Sequence, residues 1–253
     1  MKEIPLGLRH ALESGECVLF IGAGIGHYYR NSQGEKLPDG YELSKELAKE
    51  FNVESDNFEL TKISRVIELR KRGRTELLAF LNKRLGKIIP DENIKWICSM
   101  RWRAIFTTNY DHGIQTAYDL VEKPKQNYVT ITSTPNLVEY DSRFDVPIYH
   151  LHGSLFASSD PSIIITNEDY AKFKKQRAML FELLKKSFIT SNILYIGYSN
   201  NDLNWNIILN EIEEEFFPSR LPEAYRIDPN IDEIDKEIFE AKNIYSLETM
   251  PFP

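Results

Sequence analysis

A chain of 253 residues, 42% hydrophobic and 27% charged, has the apolar content for one large domain with a full core. Its net charge of -7 argues against the broad basic surface that nucleic-acid binding needs, and the local basic patch "ELRKRGR" (68–74) reads first as a solvated helix end. Cys17 and Cys98, the two cysteines, can build neither a disulfide framework nor a four-thiolate zinc site. A reducing cytoplasm is the expected compartment. No apolar run approaches the ~18 residues of a membrane helix, and "MKEIPLGLRH" lacks the apolar centre of a signal peptide.

In chain order, "CVLFIG" (17–22) reads as a first strand and runs into "GAGIG". Residues 34–100 then carry helical patterns: "DGYELSKELAKEF" with Leu43, Leu47 and Phe51 on one face, "FELTKISRVIELRKRG" and "RTELLAFLNKRLG", the last two each closed by a glycine. Strands resume at "RAIFTT" (103–108), "YVTIT" (128–132), "PIYHLH" (147–152) and "SIIIT" (162–166). Thr166 and Asp169 form a capping-box pair ahead of the helix "YAKFKKQRAMLFELLKKSF". The strand "ILYIGY" (193–198), the helix "DLNWNIILNEIEEEFF", and the strands "AYRID" (224–228) and "IYSLE" (244–248) complete the chain. Most strands are continuous apolar runs, the signature of a parallel sheet covered on both faces. The expected fold is a Rossmann-like, doubly wound α/β domain over 1–253 with a mainly parallel sheet and a helical insertion at about 34–100.

Polar clusters stand at several strand ends. In "GAGIG", Gly22, Ala23, Gly24 and Ile25 form a turn whose N–H groups could meet a pyrophosphate, with a following helix N-terminus assisting. His27 replaces the third glycine of GxGxxG and no acidic residue ends a second strand ~20 residues on, so an ordinary NAD-dependent dehydrogenase fits poorly. A tight turn without a ligand is the alternative. In "TTNYDHG", Asn109 suits a ribose hydroxyl, an amide or a water, while Asp111 either offers a carboxylate to a developing positive charge or caps the next helix. In "HLHGS", strand alternation puts His150 and His152 on one side. His152, at the very end beside Gly153, is the candidate acid or base, and His150 the candidate structural histidine. Ser199 in "IGYSNNDLN" could bond a phosphate or ribose, Asp202 reads as a helix cap, and Asp228 in "RIDPN" could grip ribose hydroxyls or form a plain turn. No histidine and carboxylate cluster has metal-ligand spacing. Tyr28, Tyr29 and Phe106 are assigned to packing.

The ordered set "GAGIG", "TTNYD", "HLHGS", "IIITNEDYAKF" and "IGYSNNDLN" resembles the sirtuin superfamily, specifically its prokaryotic branch that hydrolyses NAD in antiphage defence. The resemblance covers about residues 15–250. It implies that Asn109 and Asp111 surround the nicotinamide ribose and that His152 is the base. It places phosphates at the Gly22–Ile25 turn, Thr108 beside the cofactor, and Gly197 with Ser199 near the adenosine half. Departures are clear: "SLFASSDPSIIIT" stands where deacylating sirtuins carry zinc-binding cysteine pairs, Thr108 stands for the usual glutamine, and no serine follows "GAG". The implied activity is cleavage of the nicotinamide–ribose bond of NAD+, a substrate, with no metal expected. A nucleotide-binding sensor without turnover is the alternative, ahead of a protein deacylase or a nuclease. An enzyme that drains NAD+ must be silent by default, so a homo-oligomer or a separate activating or inhibiting protein is expected, or else the chain is one domain of a longer protein.

Overall fold

The computed structural model describes residues 4–156, 163–198, 203–217, 219–227 and 231–247. Helix α1 (Leu6–Ser14) leads into β1 (Val18–Ile21), and a 3-10 helix (Ala23–Tyr28) follows. Strand β2 (Tyr29–Arg30) pairs antiparallel with β3 (Ile89–Pro90). Between them lie α2 (Gly40–Glu50), α3 (Leu60–Glu68) and α4 (Gly73–Leu85), and α5 (Glu92–Ser99) leads back to β4 (Ala104–Thr107). Next come α6 (Gly113–Leu120), β5 (Asn127–Ile131), a second 3-10 helix (Thr134–Glu139) and β6 (Asp145–His150). Helices α7 (Asn167–Gln176) and α8 (Ala178–Thr190), then β7 (Ile193–Ile196), α9 (Leu203–Phe216), β8 (Ala224–Ile227), α10 (Glu233–Ala241) and β9 (Ile244–Leu247) complete the described chain.

Among the described residues, the larger sheet has seven strands in the order β5-β6-β4-β1-β7-β8-β9, and every neighbouring pair is parallel. Side-chain alternation sends each strand's residues to two cores. Leu19, Ile21, Ile105, Ile148, Leu194 and Ile196 join the core shared with α1 to α6. Val18, Phe20, Phe106, Tyr149, Ile193 and Tyr195 join the core under α8, α9 and α10. Burial on both faces explains why these strands read as unbroken apolar runs. Each fully buried Leu, Ile or Phe contributes about 1.5–3 kcal/mol, so the two layers supply most of what holds the sheet.

Local chemistry starts the helices where the sequence indicates. Asp39 and Glu42 form a reciprocal capping box on α2, the Glu42 N–H reaching Asp39 Oδ1 at 2.8 Å and the Asp39 N–H reaching Glu42 Oε2 at 3.1 Å. Thr166 and Asp169 do the same at α7, at 3.1 and 3.3 Å. Three expectations are corrected. Gly73 does not close a helix: it opens α4, and an added Cβ there would stand 1.9 Å from the Ile67 carbonyl, so only glycine lets α4 turn back on α3. The helix expected as one run breaks at Arg177, whose φ of -126° is not helical. Among the described residues, Ile163–Thr166 is no strand but a buried strap. Its Ile164 N–H donates to the His152 carbonyl at 2.9 Å, and its Ile164 carbonyl accepts from the Tyr110 hydroxyl at 2.7 Å. An apolar run reports burial, and here burial comes without a sheet position.

Candidate active site

Register brings the sequence motifs to one edge. Ile21 pairs with Thr107 and with Ile196, and Thr107 pairs with His150, so β1, β4, β6 and β7 end in one row. The segments beginning at Gly22, Thr108, Leu151 and Gly197 therefore leave the sheet side by side. From β1 the chain goes first to the β4 side and later to the β7 side, which makes the carboxyl ends of β1 and β7 a topological switch point, the usual ligand position in an open α/β sheet.

The loops after β4 and β6 are laced together beyond the strands. The Leu151 N–H donates to the Thr107 carbonyl at 2.9 Å and the Leu155 N–H to the Tyr110 carbonyl at 3.1 Å. His150 Nδ1 meets the Asn109 carbonyl at 3.1 Å, and His112 Nε2 meets Ser154 Oγ at 2.9 Å. A carbonyl only accepts, so His150 carries its proton on Nδ1, and its Nε2 accepts from the Gln115 amide at 2.8 Å. Burial and the neighbouring His112 hold the His150 imidazole down at about 3, hence neutral. His150 is thus a structural tie, as its sequence position indicated.

Asn109 stands half-buried at the centre of this lacing. Its backbone N–H is held by Thr107 Oγ1 at 3.0 Å, the same hydroxyl that donates to the Ile21 carbonyl at 3.0 Å. Its side-chain amide donates to the Gly22 carbonyl at 3.3 Å, which leaves Oδ1 with no protein partner among the described residues. Thr108 beside it is also half-buried. Asp111 accepts from the Gly113 N–H at 2.8 Å, so the capping role and the site position coexist in one side chain. It keeps some surface access, yet desolvation pushes its carboxyl up to about 6 against the two backbone N–H groups that lower it.

His152 lies beyond the end of β6, so strand alternation does not govern it. It is 5% exposed, its ring stands edge-on to Tyr170 of α7 at 5.3 Å, and its carbonyl holds the Ile164 strap. Arg177, at the break between α7 and α8, reaches under the same turn and donates to the carbonyls of His150 and Leu151 at 2.9 and 3.0 Å. Sequence reasoning missed Arg177, and it noted the imidazole of His112 in "TTNYDHG" without giving it a role. The only signal for Arg177 was a charged residue on the apolar side of a long amphipathic pattern.

The glycine turn is occupied by its own fold. The Gly22 N–H donates to the Ile196 carbonyl at 3.0 Å, the Gly24 N–H to the Gly197 carbonyl at 2.7 Å, and the Ile25 N–H to the Gly22 carbonyl at 3.2 Å. Ala23 is exposed, Ile25 is a core side chain, and the helix that follows is a short 3-10 turn and not an α-helix. Gly197 has φ of +65°, and a Cβ on it would stand 2.2 Å from the Ile25 nitrogen. Gly22, Gly24 and Gly197 are therefore required by one another. Ser199, Asp202 and Asp228 lie outside the described residues. Among the described residues, no three His, Cys, Asp or Glu side chains are grouped to hold a metal ion, and no helix is long and apolar enough to cross a membrane.

The model of the SIR2-like domain matches residues 103–247. The chain belongs to the SIR2-like domain family. The matched stretch of this SIR2-like chain runs from β4 to β9 and holds Asn109, Asp111 and His152. Among curated proteins, it is 29% identical over 210 residues to the NAD(+) hydrolase ThsA of Enterococcus faecium, covering 80% of this chain and 41% of that protein. It is 27% identical over 216 residues to the ThsA of Acinetobacter baumannii, covering 81% and 41%. To Defense-associated sirtuin 2 of Bacillus subtilis it is 25% identical over 225 residues, covering 85% and 20%. The SIR2-like chain thus spans about two fifths of the length of the ThsA relatives.

Proposed function

We propose that this SIR2-like chain hydrolyses NAD+ at the nicotinamide–ribose bond, giving nicotinamide and an ADP-ribose product, and that it depletes NAD+ in antiphage defence. The observation that carries the reading is the position of Asn109, Asp111 and His152 on the neighbouring loops after β4 and β6, at the carboxyl edge of a family fold whose relatives include proteins named NAD(+) hydrolases. Loss of nicotinamide leaves positive charge on the ribose. Asp111, an oxygen donor in a desolvated position, stabilises that charge when ionised, and desolvation strengthens the interaction. Asn109, steered by the Gly22 carbonyl, turns Oδ1 outward to hold the attacking water or a ribose hydroxyl. His152, anchored at the end of β6 by Ile164 and Tyr170, accepts the proton that the water or hydroxyl releases. Gly22, Ala23, Gly24, Ile25, Thr108, Gly197, Ser199 and Asp228 are proposed to line the cofactor, with the exposed Ala23 the member of the turn free to face it. Control by self-association or by a separate protein fits an activity that must be silent by default.

Chromatography of NAD+ incubated with the protein tests the reading, nicotinamide release being the expected outcome. His152→Ala and Asn109→Ala should each lower turnover per folded molecule by roughly 10²- to 10⁴-fold, more than any accompanying drop in melting temperature accounts for. Saturable NAD+ binding without turnover under assembled conditions would leave the sensor reading in its place. Near-normal turnover of His152→Ala, or activity that is lost only in proportion to folding, would remove His152 from the mechanism.

A further inference from the structure

The surroundings of Tyr29 set it apart from an ordinary core aromatic. The residue is fully buried on β2, and its hydroxyl has no hydrogen-bond partner among the described residues. Leaving such a group unpaired costs about 1–3 kcal/mol, so its persistence calls for a reason. The ring lies flush on Gly113: a Cβ there would stand 2.4 Å from two ring carbons and 2.9 Å from the hydroxyl oxygen. Gly113 is also the residue whose N–H holds Asp111 Oδ1 at 2.8 Å. One glycine thus brings the idle phenol and the candidate catalytic carboxylate together, and its lack of a side chain is what permits the approach.

The other groups facing this spot leave the phenol as the donor. Asp111, Cys98 of α5 and Asp91 at the start of α5 are the ionisable groups that act on Tyr29. Burial pushes the Cys98 thiol up to about 12 and the Tyr29 phenol well above its ordinary value, so both are neutral. Asp91 is engaged as the cap of α5, accepting from the Ile94 N–H at 3.1 Å. The Tyr29 O–H is therefore a neutral donor packed on the glycine that holds Asp111, a carboxylate whose protein donors are backbone N–H groups. We propose that Tyr29 is a positioning residue for Asp111, its hydroxyl donating to the carboxylate, by a small shift or through one bridging water, and holding it toward the ribose. The proposal rests on the NAD+ reading for its consequence, but not for its geometry.

Tyr29→Phe removes one oxygen and keeps the ring, so the core stays filled. The Asp111 carboxyl, assigned by its disappearance in Asp111→Asn, is titrated by carbon NMR in wild-type and Tyr29→Phe protein, beside pH profiles of NAD+ turnover and melting curves. Loss of one hydrogen bond to a charged group should raise the Asp111 midpoint by about one pH unit. The acid limb of turnover should move up by the same amount, with turnover at neutral pH falling more than apparent NAD+ affinity. An unchanged Asp111 midpoint overturns the proposal whatever the melting curve does, because an idle core hydroxyl would leave it where it is. If the wild-type protein does not cleave NAD+, the functional reading fails, while the NMR titration still decides whether Tyr29 serves Asp111.

Discussion

Asp111→Asn separates what the carboxylate does for the fold from what it does for the chemistry. Asparagine keeps the shape and still accepts from the Gly113 N–H, so only the charge is lost. The Asp111 carboxyl is raised from 3.8 to about 6 in the folded chain. A group raised in this way stabilises the fold fully below its unfolded value of 3.8 and loses that contribution as pH rises through about 6. Above that pH the folded protein carries the whole cost of a desolvated carboxylate. At 1.36 kcal/mol per pH unit the upper bound is ~3 kcal/mol, and partial solvent access reduces it to ~1–3 kcal/mol. Asp111→Asn should therefore melt higher than the wild type at pH 7.5, by ~2–10 °C for a chain of this size, and the gain should shrink steadily by pH 4.5. Turnover should fall by about 10²-fold or more, the scale of one preorganised electrostatic group. Melting curves of both proteins across this pH range at constant ionic strength, with NAD+ cleavage on the same samples, read both effects. A variant that melts equally at every pH would refute the desolvation argument, and one that keeps wild-type turnover would refute the catalytic one.

Gly197→Ala should cost about 2–4 kcal/mol, from a left-handed backbone forced on alanine and from contact with the Ile25 nitrogen, and thermal melting would show it as a drop of several degrees. An unchanged melting temperature would mean that the interlock with the glycine turn is loose. His150→Ala should destabilise by about 2–4 kcal/mol at pH 7.5, since the Asn109 carbonyl loses its ring partner, the Gln115 amide keeps only Thr130 Oγ1, and a buried ring is removed. Because His150 is held down at about 3 in the fold, the wild type loses stability as pH falls from 6.5 toward that value. The gap between the two proteins should therefore narrow with acid, and denaturant titration at pH 7.5 and 5 measures it.

The sheet was legible because both of its faces are buried. "CVLFIG" and "ILYIGY" are apolar on both alternating sets, and each is a strand trimmed by two residues. The same rule misread "SIIIT", where Ile163, Ile164 and Ile165 are just as buried but are held by His152, Tyr110 and Arg74 instead of by strands. The pair β2–β3, two residues each, is too short to leave a periodic signal. Within the candidate site, strand-end position is what put Asn109, Asp111 and His152 forward as candidates. It could not find Arg177 or the bond from His112 to Ser154, because these depend on which loops face one another across the sheet edge. Tyr29 was assigned to packing correctly as to burial. Only its contact with Gly113 links it to Asp111, and no spacing between residues 29 and 113 could have announced that.

The glycine turn is where the sequence pattern and the structure carry different meanings. A Gly-rich loop after a first strand is read for its N–H donors, yet the N–H groups of Gly22, Gly24 and Ile25 are committed to carbonyls of Ile196, Gly197 and Gly22. What the turn offers the site directly is a carbonyl: Gly22 O receives the Asn109 amide and thereby decides which end of that amide faces outward. A Cβ on Gly22 would stand 2.5 Å from the Gly197 carbonyl, so the turn cannot hold this place with any other residue. On the proposed NAD+ reading, the glycines that follow β1 and β7 act on the chemistry through Asn109. The family match beginning at residue 103 is consistent with that division, since the polar centre on the β4 and β6 loops lies inside it and the turn that orients Asn109 lies outside.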